Sequence, residues 1–191
     1  MPTPIRKRMR RINHAGDVRF LTFSCFQRLQ LLANPAVRSV VVDAMLLARR
    51  RHGFLLYAWV VMPEHIHLLI EPRDGDVDVP LRTLKQSVSK RCLDRWKRLR
   101  AGVLENIQLD NGSYRFWQPG GGFDRNVRDG AAFMRHVQYI HRNPVERGLV
   151  PSPLEWEWSS ARWWAGQHEG TPECDPPPGN PKIWEQWTGY L

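Results

Sequence analysis

The chain predicts an α+β domain in which a four-stranded antiparallel sheet carries helices. Three observations lead there: short apolar runs with period-two alternation, longer runs with apolar residues at helical spacing between them, and a tight link at Pro63 that joins two strand runs. At 191 residues the chain suits one domain with extensions.

The first strand runs from Val18 to Phe26, where Phe20, Thr22, Ser24 and Phe26 alternate with Leu21, Phe23 and Cys25. Both faces are largely apolar, as a central strand requires. Asn34 then stands as N-cap before Pro35, and Val37, Val40, Val41, Ala44, Leu47 and Ala48 recur at helical spacing. Arg49-Arg50-Arg51 and Gly53 give this helix a favourable last turn and a stop. Phe54 to Val61 is the second strand and Ile66 to Ile70 the third, and the short link between them makes an antiparallel hairpin.

After the polar loop Glu71 to Asp76, Leu81, Leu84, Val88, Cys92, Trp96 and Leu99 form the apolar stripe of a second helix. Its other face is almost wholly cationic, with Arg82, Lys85, Lys90, Arg91, Arg95, Lys97, Arg98 and Arg100. Asp110-Asn111-Gly112 is a turn, Tyr114 to Gln118 the fourth strand, and Pro119-Gly120-Gly121-Gly122 a flexible connection that admits close approach of a phosphate or is simply a loop. Asp129 to Asn143 is a third helix, with Phe133, Val137 and Ile140 on one face and Arg135, Tyr139 and Asn143 on another. Pro144 sets Asn143 at the helix end or at a kink. The order strand, helix, strand, strand, helix, strand, helix is that of a ferredoxin-like (RRM-like) split βαβ arrangement with one added helix.

Three segments follow from this pattern: a basic N-terminal arm (1–14), the main domain (15–150), and a Trp/Pro-rich, partly irregular extension (151–191). The tryptophans at 156, 158, 163 and 164 either stack on bases or cover a core edge. Lys plus Arg number 28 against 19 acidic residues, a formal charge of +9. That balance favours nucleic acid as partner over a membrane, because no run approaches the ~20 apolar residues needed to span a bilayer. The odd count of three spread cysteines gives neither a disulfide framework nor a cysteine metal site, and the N-terminus lacks the apolar stretch of a secretory leader. A cytoplasmic, nucleoid-associated protein is expected.

The chemistry concentrates in two stretches. In Met62-Pro-Glu-His65-Ile-His67-Leu-Leu-Ile70 the two histidines are one residue apart at the head of a strand, so both project from one face while Ile66, Leu68 and Ile70 pack on the other. Two such imidazoles are either half of a metal site or a hydrogen-bonded pair. A divalent ion would need at least one further donor. Tyr139 and Asn143, four apart on the last helix, share a face. If that face lies over the histidines, the Asn143 amide oxygen is a candidate third donor and Tyr139 stands beside the ion. A tyrosine hydroxyl, with a pKa ordinarily about 10, needs its proton removed before it attacks. It then suits reversible phosphoryl transfer, because a phosphotyrosine diester keeps the energy of the broken link.

The segments Tyr57-Ala-Trp-Val-Val-Met-Pro-Glu-His-Ile-His-Leu-Leu-Ile70, Tyr139-Ile-His-Arg-Asn-Pro-Val-Glu-Arg-Gly-Leu-Val150 and Trp158-Ser-Ser160 together resemble the REP-associated tyrosine transposases. These belong to the single-tyrosine, His-hydrophobic-His (HUH) transposase superfamily, and the likeness spans roughly residues 15 to 165. It implies a catalytic domain of the HUH endonuclease and transposase type over 15–150. The implied activity is metal-dependent nicking and rejoining of single-stranded DNA that folds into palindromic hairpins, through a 5′-phosphotyrosine. By position, His65 and His67 match the family's metal ligands and Tyr139 its nucleophile. Asn143 stands where the wider superfamily often has glutamine, with the same donor atom on a shorter stem. The resemblance implies Mg²⁺ or Mn²⁺ as cofactor and a monomer or homodimer. Arg115 and Arg125 lie in segments similar to those that precede the family's tyrosine helix.

The candidate DNA contacts are Arg6, Lys7, Arg8, Arg10 and Arg11 of the arm, Arg82, Lys85, Lys90 and Arg91 of the basic helix, and Arg115, Arg125 and Arg135. Two rival readings are a nucleic-acid-binding module without chemistry on the same sheet, and a metal-dependent phosphodiesterase that uses activated water.

Overall fold

The computed structural model of the chain describes residues 15–120 and 122–179. Four strands, β1 (Val18–Ser24), β2 (Leu55–Val61), β3 (His65–Glu71) and β4 (Phe123–Val127), form one antiparallel sheet in the order β2-β3-β1-β4. With helices α1 (Pro35–His52), α2 (Asp78–Leu99) and α3 (Gly130–Glu146), this is the ferredoxin-like order that the sequence predicts.

The helix ends follow from local chemistry. The Asn34 side chain accepts a hydrogen bond from the Ala36 N–H at 2.9 Å, with Pro35 at the first helical position. Gly53 closes α1 in the left-handed region, at φ +65°, and donates its N–H to the Arg49 carbonyl. Asp129 caps α3 by accepting from the Ala132 N–H at 2.6 Å. Pro144 does not end α3 at Asn143. The helix runs one more turn to Glu146, and the Asn143 carbonyl accepts from the Arg147 N–H.

The two faces of the sheet bury different helices. Leu21, Phe23, Ile66, Leu68 and Ile70 point to the side covered by α1 and α2, where Val37, Val41, Leu81, Leu84, Val88 and Cys92 meet them. In α1 Met45 is buried in place of Leu47, which is 46% exposed. Leu99, at the end of the predicted α2 stripe, is also exposed. Phe20, Val60 and Leu69 point to the other side, where Phe133, Val137 and Ile140 of α3 cover them. Each such side chain fully removed from water contributes on the order of 1.5–3 kcal/mol, so both faces are strongly specified. A bulge in β2 between Leu56 and Ala58 turns Tyr57 and Ala58 together toward α3.

The fourth strand differs from expectation. Tyr114–Gln118 makes only isolated bridges, Cys25 with Trp117 and Gln108 with Tyr114, and β4 is Phe123–Val127. An edge strand can carry alternating charge. Asp124 turns toward the α1 and α2 side and forms a two-pronged ion pair with the buried Arg19 of β1, at 2.7 and 2.9 Å. Gly122 leads into β4 at φ +73°, where an added Cβ would run into the Thr22 backbone oxygen. This glycine therefore serves the close approach of two strands.

The described part of the extension, up to residue 179, lies along the free edge of β2. The Val61 N–H donates to the Trp158 carbonyl and the Ser160 N–H to the Trp59 carbonyl, while Asp175 ties down Leu56 and pairs with Arg49 at 2.6 Å. An edge that would otherwise offer unpaired backbone groups is thus covered. Trp156 and Trp164 are buried, their indole N–H groups donating to Val61 and Tyr57 carbonyls. These two rings cover a core edge. Among the described residues no helix is long and apolar enough to cross a membrane.

Candidate active site

His65 and His67 project from β3 on the α3 side of the sheet, as strand alternation requires. Both are buried, and their Nε2 atoms face each other at 2.9 Å. Each ring's other nitrogen has its own partner. His65 Nδ1 lies 3.0 Å from Glu64 Oε1, and His67 Nδ1 lies 2.7 Å from Thr22 Oγ1, its neighbour across the β1–β3 pair. A carboxylate only accepts, so His65 carries its proton on Nδ1 and its Nε2 is bare. If Thr22 also accepts, His67 Nε2 is bare as well. Both rings are held in the neutral form. Burial drives His67 down to about 3, helped by the positive charge of Arg28. Burial also lowers His65, against the pull of Glu64.

The face of α3 that carries Tyr139 and Asn143 lies over this pair. Asn143 is buried, with Nδ2 3.3 Å from His67 Nε2 and Oδ1 without a hydrogen-bond partner. The terminal amide can turn by 180°, exchanging the two atoms and presenting oxygen to the histidines. Tyr139 is 42% exposed and sits edge-on to His67, with ring centroids 5.2 Å apart. Phe20 stacks on both His67 and His136, at 5.5 and 4.3 Å, and meets Tyr139 edge-on. The rings stand in a cleft of about 750 Å³ whose rim carries Arg28, Arg125, Arg135 and Arg147.

The donors fit a divalent ion. Two nitrogens 2.9 Å apart are spaced as two adjacent ligands with bonds of about 2.1 Å would be. Turned to exchange its two ends, the Asn143 amide offers its oxygen to the pair as a third donor. No cluster of three or more His, Cys, Asp or Glu able to hold a metal occurs among the described residues, so further donors would come from the Asn143 amide, from water or from a bound phosphate.

Of the predicted residues, the cleft thus gathers His65, His67, Tyr139, Asn143, Arg125 and Arg135. It does not gather the basic helix. α2 lies on the opposite side of the sheet, where Lys90 pairs with Asp94, Arg91 with Asp43, and Lys85 lies over the Phe23 ring. Arg115 is exposed, with its guanidinium over Phe26. Arg6, Lys7, Arg8, Arg10 and Arg11 lie outside the described residues.

Sequence reasoning missed Thr22, Phe20, Glu64 and Arg147. A signal for Arg147 was there: Tyr139, Asn143 and Arg147 follow at intervals of four, the first two on one stripe of α3 and the third at its C-cap. For Glu64 there was none, because the turn at Pro63 breaks the alternation that would have assigned it a face.

No protein-family model matches the chain. It is 28% identical, over 117 residues, to the REP-associated tyrosine transposase of Escherichia coli (strain K12); the match covers 61% of this chain and 60% of that relative. A solved structure of a REP-associated tyrosine transposase bound to a REP hairpin superposes with a TM-score of 0.67 at 25% sequence identity, covering 92% of this chain and 93% of that one. The resemblance therefore extends beyond the three quoted segments to 117 residues of sequence and to the fold.

Proposed function

We propose that the chain is a transposase-like enzyme that nicks and rejoins hairpin-forming single-stranded DNA through Tyr139. The observation that carries this reading is the convergence of His65, His67 and Asn143 beside an exposed tyrosine, from a strand and a helix more than 70 positions apart. The similarity to a transposase solved with a REP hairpin supports a hairpin as the substrate.

His65, His67 and Asn143 would hold a divalent ion, Mg²⁺ or Mn²⁺. When bound, it supplies charge to polarise the scissile phosphate. The remaining steps belong to the chain. Arg125 and Arg135 at the cleft rim attract and orient the DNA backbone. Phe20 and His67 hold the Tyr139 ring at the cleft mouth, so that Oη is presented to a phosphate. Oη forms a bond to phosphorus as the bond to the 3′ oxygen breaks, giving a 5′-phosphotyrosine and a 3′ hydroxyl. The phenolic proton is lost and the leaving oxygen gains one, so the step balances. Attack by a 3′ hydroxyl on the phosphotyrosine reverses it and restores the phenol.

The test is to incubate end-labelled palindromic single-stranded DNA with the chain and Mn²⁺ and to resolve the products on a denaturing gel. A protein-linked band that disappears in Tyr139→Phe is the expected result. Cleavage without any linked band would favour a water-using phosphodiesterase. Binding without cleavage, indifferent to chelator and to His65→Ala, would favour a module without chemistry.

A further inference from the structure

One carboxylate oxygen joins the two halves of the site. Glu64 is 6% exposed at its side chain, and its Oε1 meets three donors: His65 Nδ1 at 3.0 Å, Arg147 Nη2 at 2.7 Å and Arg28 Nη2 at 3.2 Å. The three come from different elements. His65 opens β3, Arg28 follows β1 in a 3₁₀ turn, and Arg147 is the residue that ends α3. The same α3 carries Tyr139 and Asn143.

A buried carboxylate at this place needs a reason. Removing a charged group from water is costly unless it is paired and hydrogen-bonded, and here two arginines reach in from the exposed rim, 51% and 60% accessible, to do so. Thr22, the partner of the second histidine, is a hydroxyl and either donates or accepts, so it imposes no tautomer on His67. Glu64 can only accept from His65. Of the two histidines, only His65 is therefore locked with its Nε2 bare.

We propose that Glu64 is the positioning residue of this site: it fixes the ring of His65 with Nε2 bare toward His67 and, through Arg147, holds the end of α3 in register with the histidine strand. The inference rests on the reading of His65 and His67 as metal ligands. A partner of this kind orients a ligating ring and raises its basicity, and its loss ordinarily weakens metal binding about 10- to 100-fold.

Two substitutions separate the roles. Glu64→Met removes the acceptor and keeps the volume, whereas Glu64→Gln keeps an acceptor oxygen and drops the charge. In the metal-free chain, long-range ¹H–¹⁵N correlation of the His65 ring reads the tautomer directly. The wild type is expected to show Nδ1 protonated and Nε2 bare, Glu64→Gln to retain this form, and Glu64→Met to lose it. Calorimetric titration with Mn²⁺ is expected to give affinity about 10- to 100-fold weaker for Glu64→Met, with a smaller loss for Glu64→Gln.

A Glu64→Met chain that keeps the wild-type tautomer and Mn²⁺ affinity overturns the inference. If Glu64→Met fails to fold by circular dichroism, Glu64→Gln decides, and undiminished Mn²⁺ affinity overturns it. His65→Ala is the control: Mn²⁺ affinity unchanged there overturns the metal reading itself and this inference with it, whereas unchanged affinity in the Glu64 variants overturns the inference alone.

Discussion

Asn143 and His67 approach to 3.3 Å across 76 positions of sequence, and the other end of the same amide is buried without a partner. Such an orphaned acceptor costs about 1–3 kcal/mol. Asn143→Leu removes the orphan at similar volume. The metal-free variant is therefore expected to melt at or above the wild-type temperature, while the stabilisation by Mn²⁺ is lost. For the wild type that stabilisation is about 2.7 kcal/mol at 100-fold excess over Kd. Thermal melts with Mn²⁺ and with EDTA check both halves. A variant stabilised by Mn²⁺ as strongly as the wild type would remove Asn143 from the ligand set.

What the sequence disclosed and what it withheld have separate physical causes. Side-chain alternation in a strand and the four-residue repeat of a helix are local, so the shared face of His65 and His67 and that of Tyr139 and Asn143 were both readable. Helix caps are local too, and Asn34 and Gly53 stand where expected. β4 was hidden because its strand character is tertiary: Arg19 pairs with Asp124, and Gly122 lets the backbone reach Thr22. Tyr114–Gln118, richer in strand-forming aromatics, drew the assignment instead. The basic stripe of α2 was legible as a stripe, but its place opposite the cleft depends on which sheet face α2 packs against, which no local pattern fixes.

That placement separates two sets of cations. Arg125 and Arg135 line the cleft, whereas Lys90 and Arg91 lie on the far side, each beside a carboxylate. Each phosphate contact to single-stranded DNA adds about 0.7 to the slope of log affinity against log salt. Arg125→Ala and Arg135→Ala are each expected to lower that slope by about this amount for a palindromic single strand, and Lys90→Ala and Arg91→Ala to leave it unchanged. Fluorescence anisotropy over a series of KCl concentrations measures it. The reverse pattern would move the DNA to the α2 side.

Gly122 ties the stability of β4 to the site. Its φ of +73° is strained for any other residue, and a methyl group there would meet the Thr22 carbonyl. Gly122→Ala is therefore expected to destabilise the chain by roughly 2 kcal/mol or more. Because Thr22 holds His67 Nδ1 at 2.7 Å, Mn²⁺ affinity should fall as well. Denaturant midpoints and Mn²⁺ titration of the same preparation test the pair, and a variant with wild-type values of both would show that β1 and β4 can part at no cost.

His141 gives the fold a pH dependence of definite sign. It is fully buried on the inner side of α3, its Nε2 2.8 Å from Ser160 Oγ and its Nδ1 without a partner. Burial holds it down to about 3, against about 6.5 in an unfolded chain. Between those values the unfolded chain takes up the proton and the folded chain does not. Stability is thus retained above about pH 6.5 and declines as pH falls below it, by up to about 1.4 kcal/mol per pH unit for each such group. His67, His65 and His136 are lowered by burial and add in the same direction. Urea midpoints between pH 7 and pH 5, above the range where carboxylates titrate, isolate the histidines. His141→Gln keeps a donor for Ser160 and removes one titrating ring, so its stability should fall with pH less steeply than that of the wild type, by up to the same increment. Equal slopes in the two chains would mean that His141 gains its proton without unfolding the packing around Ser160.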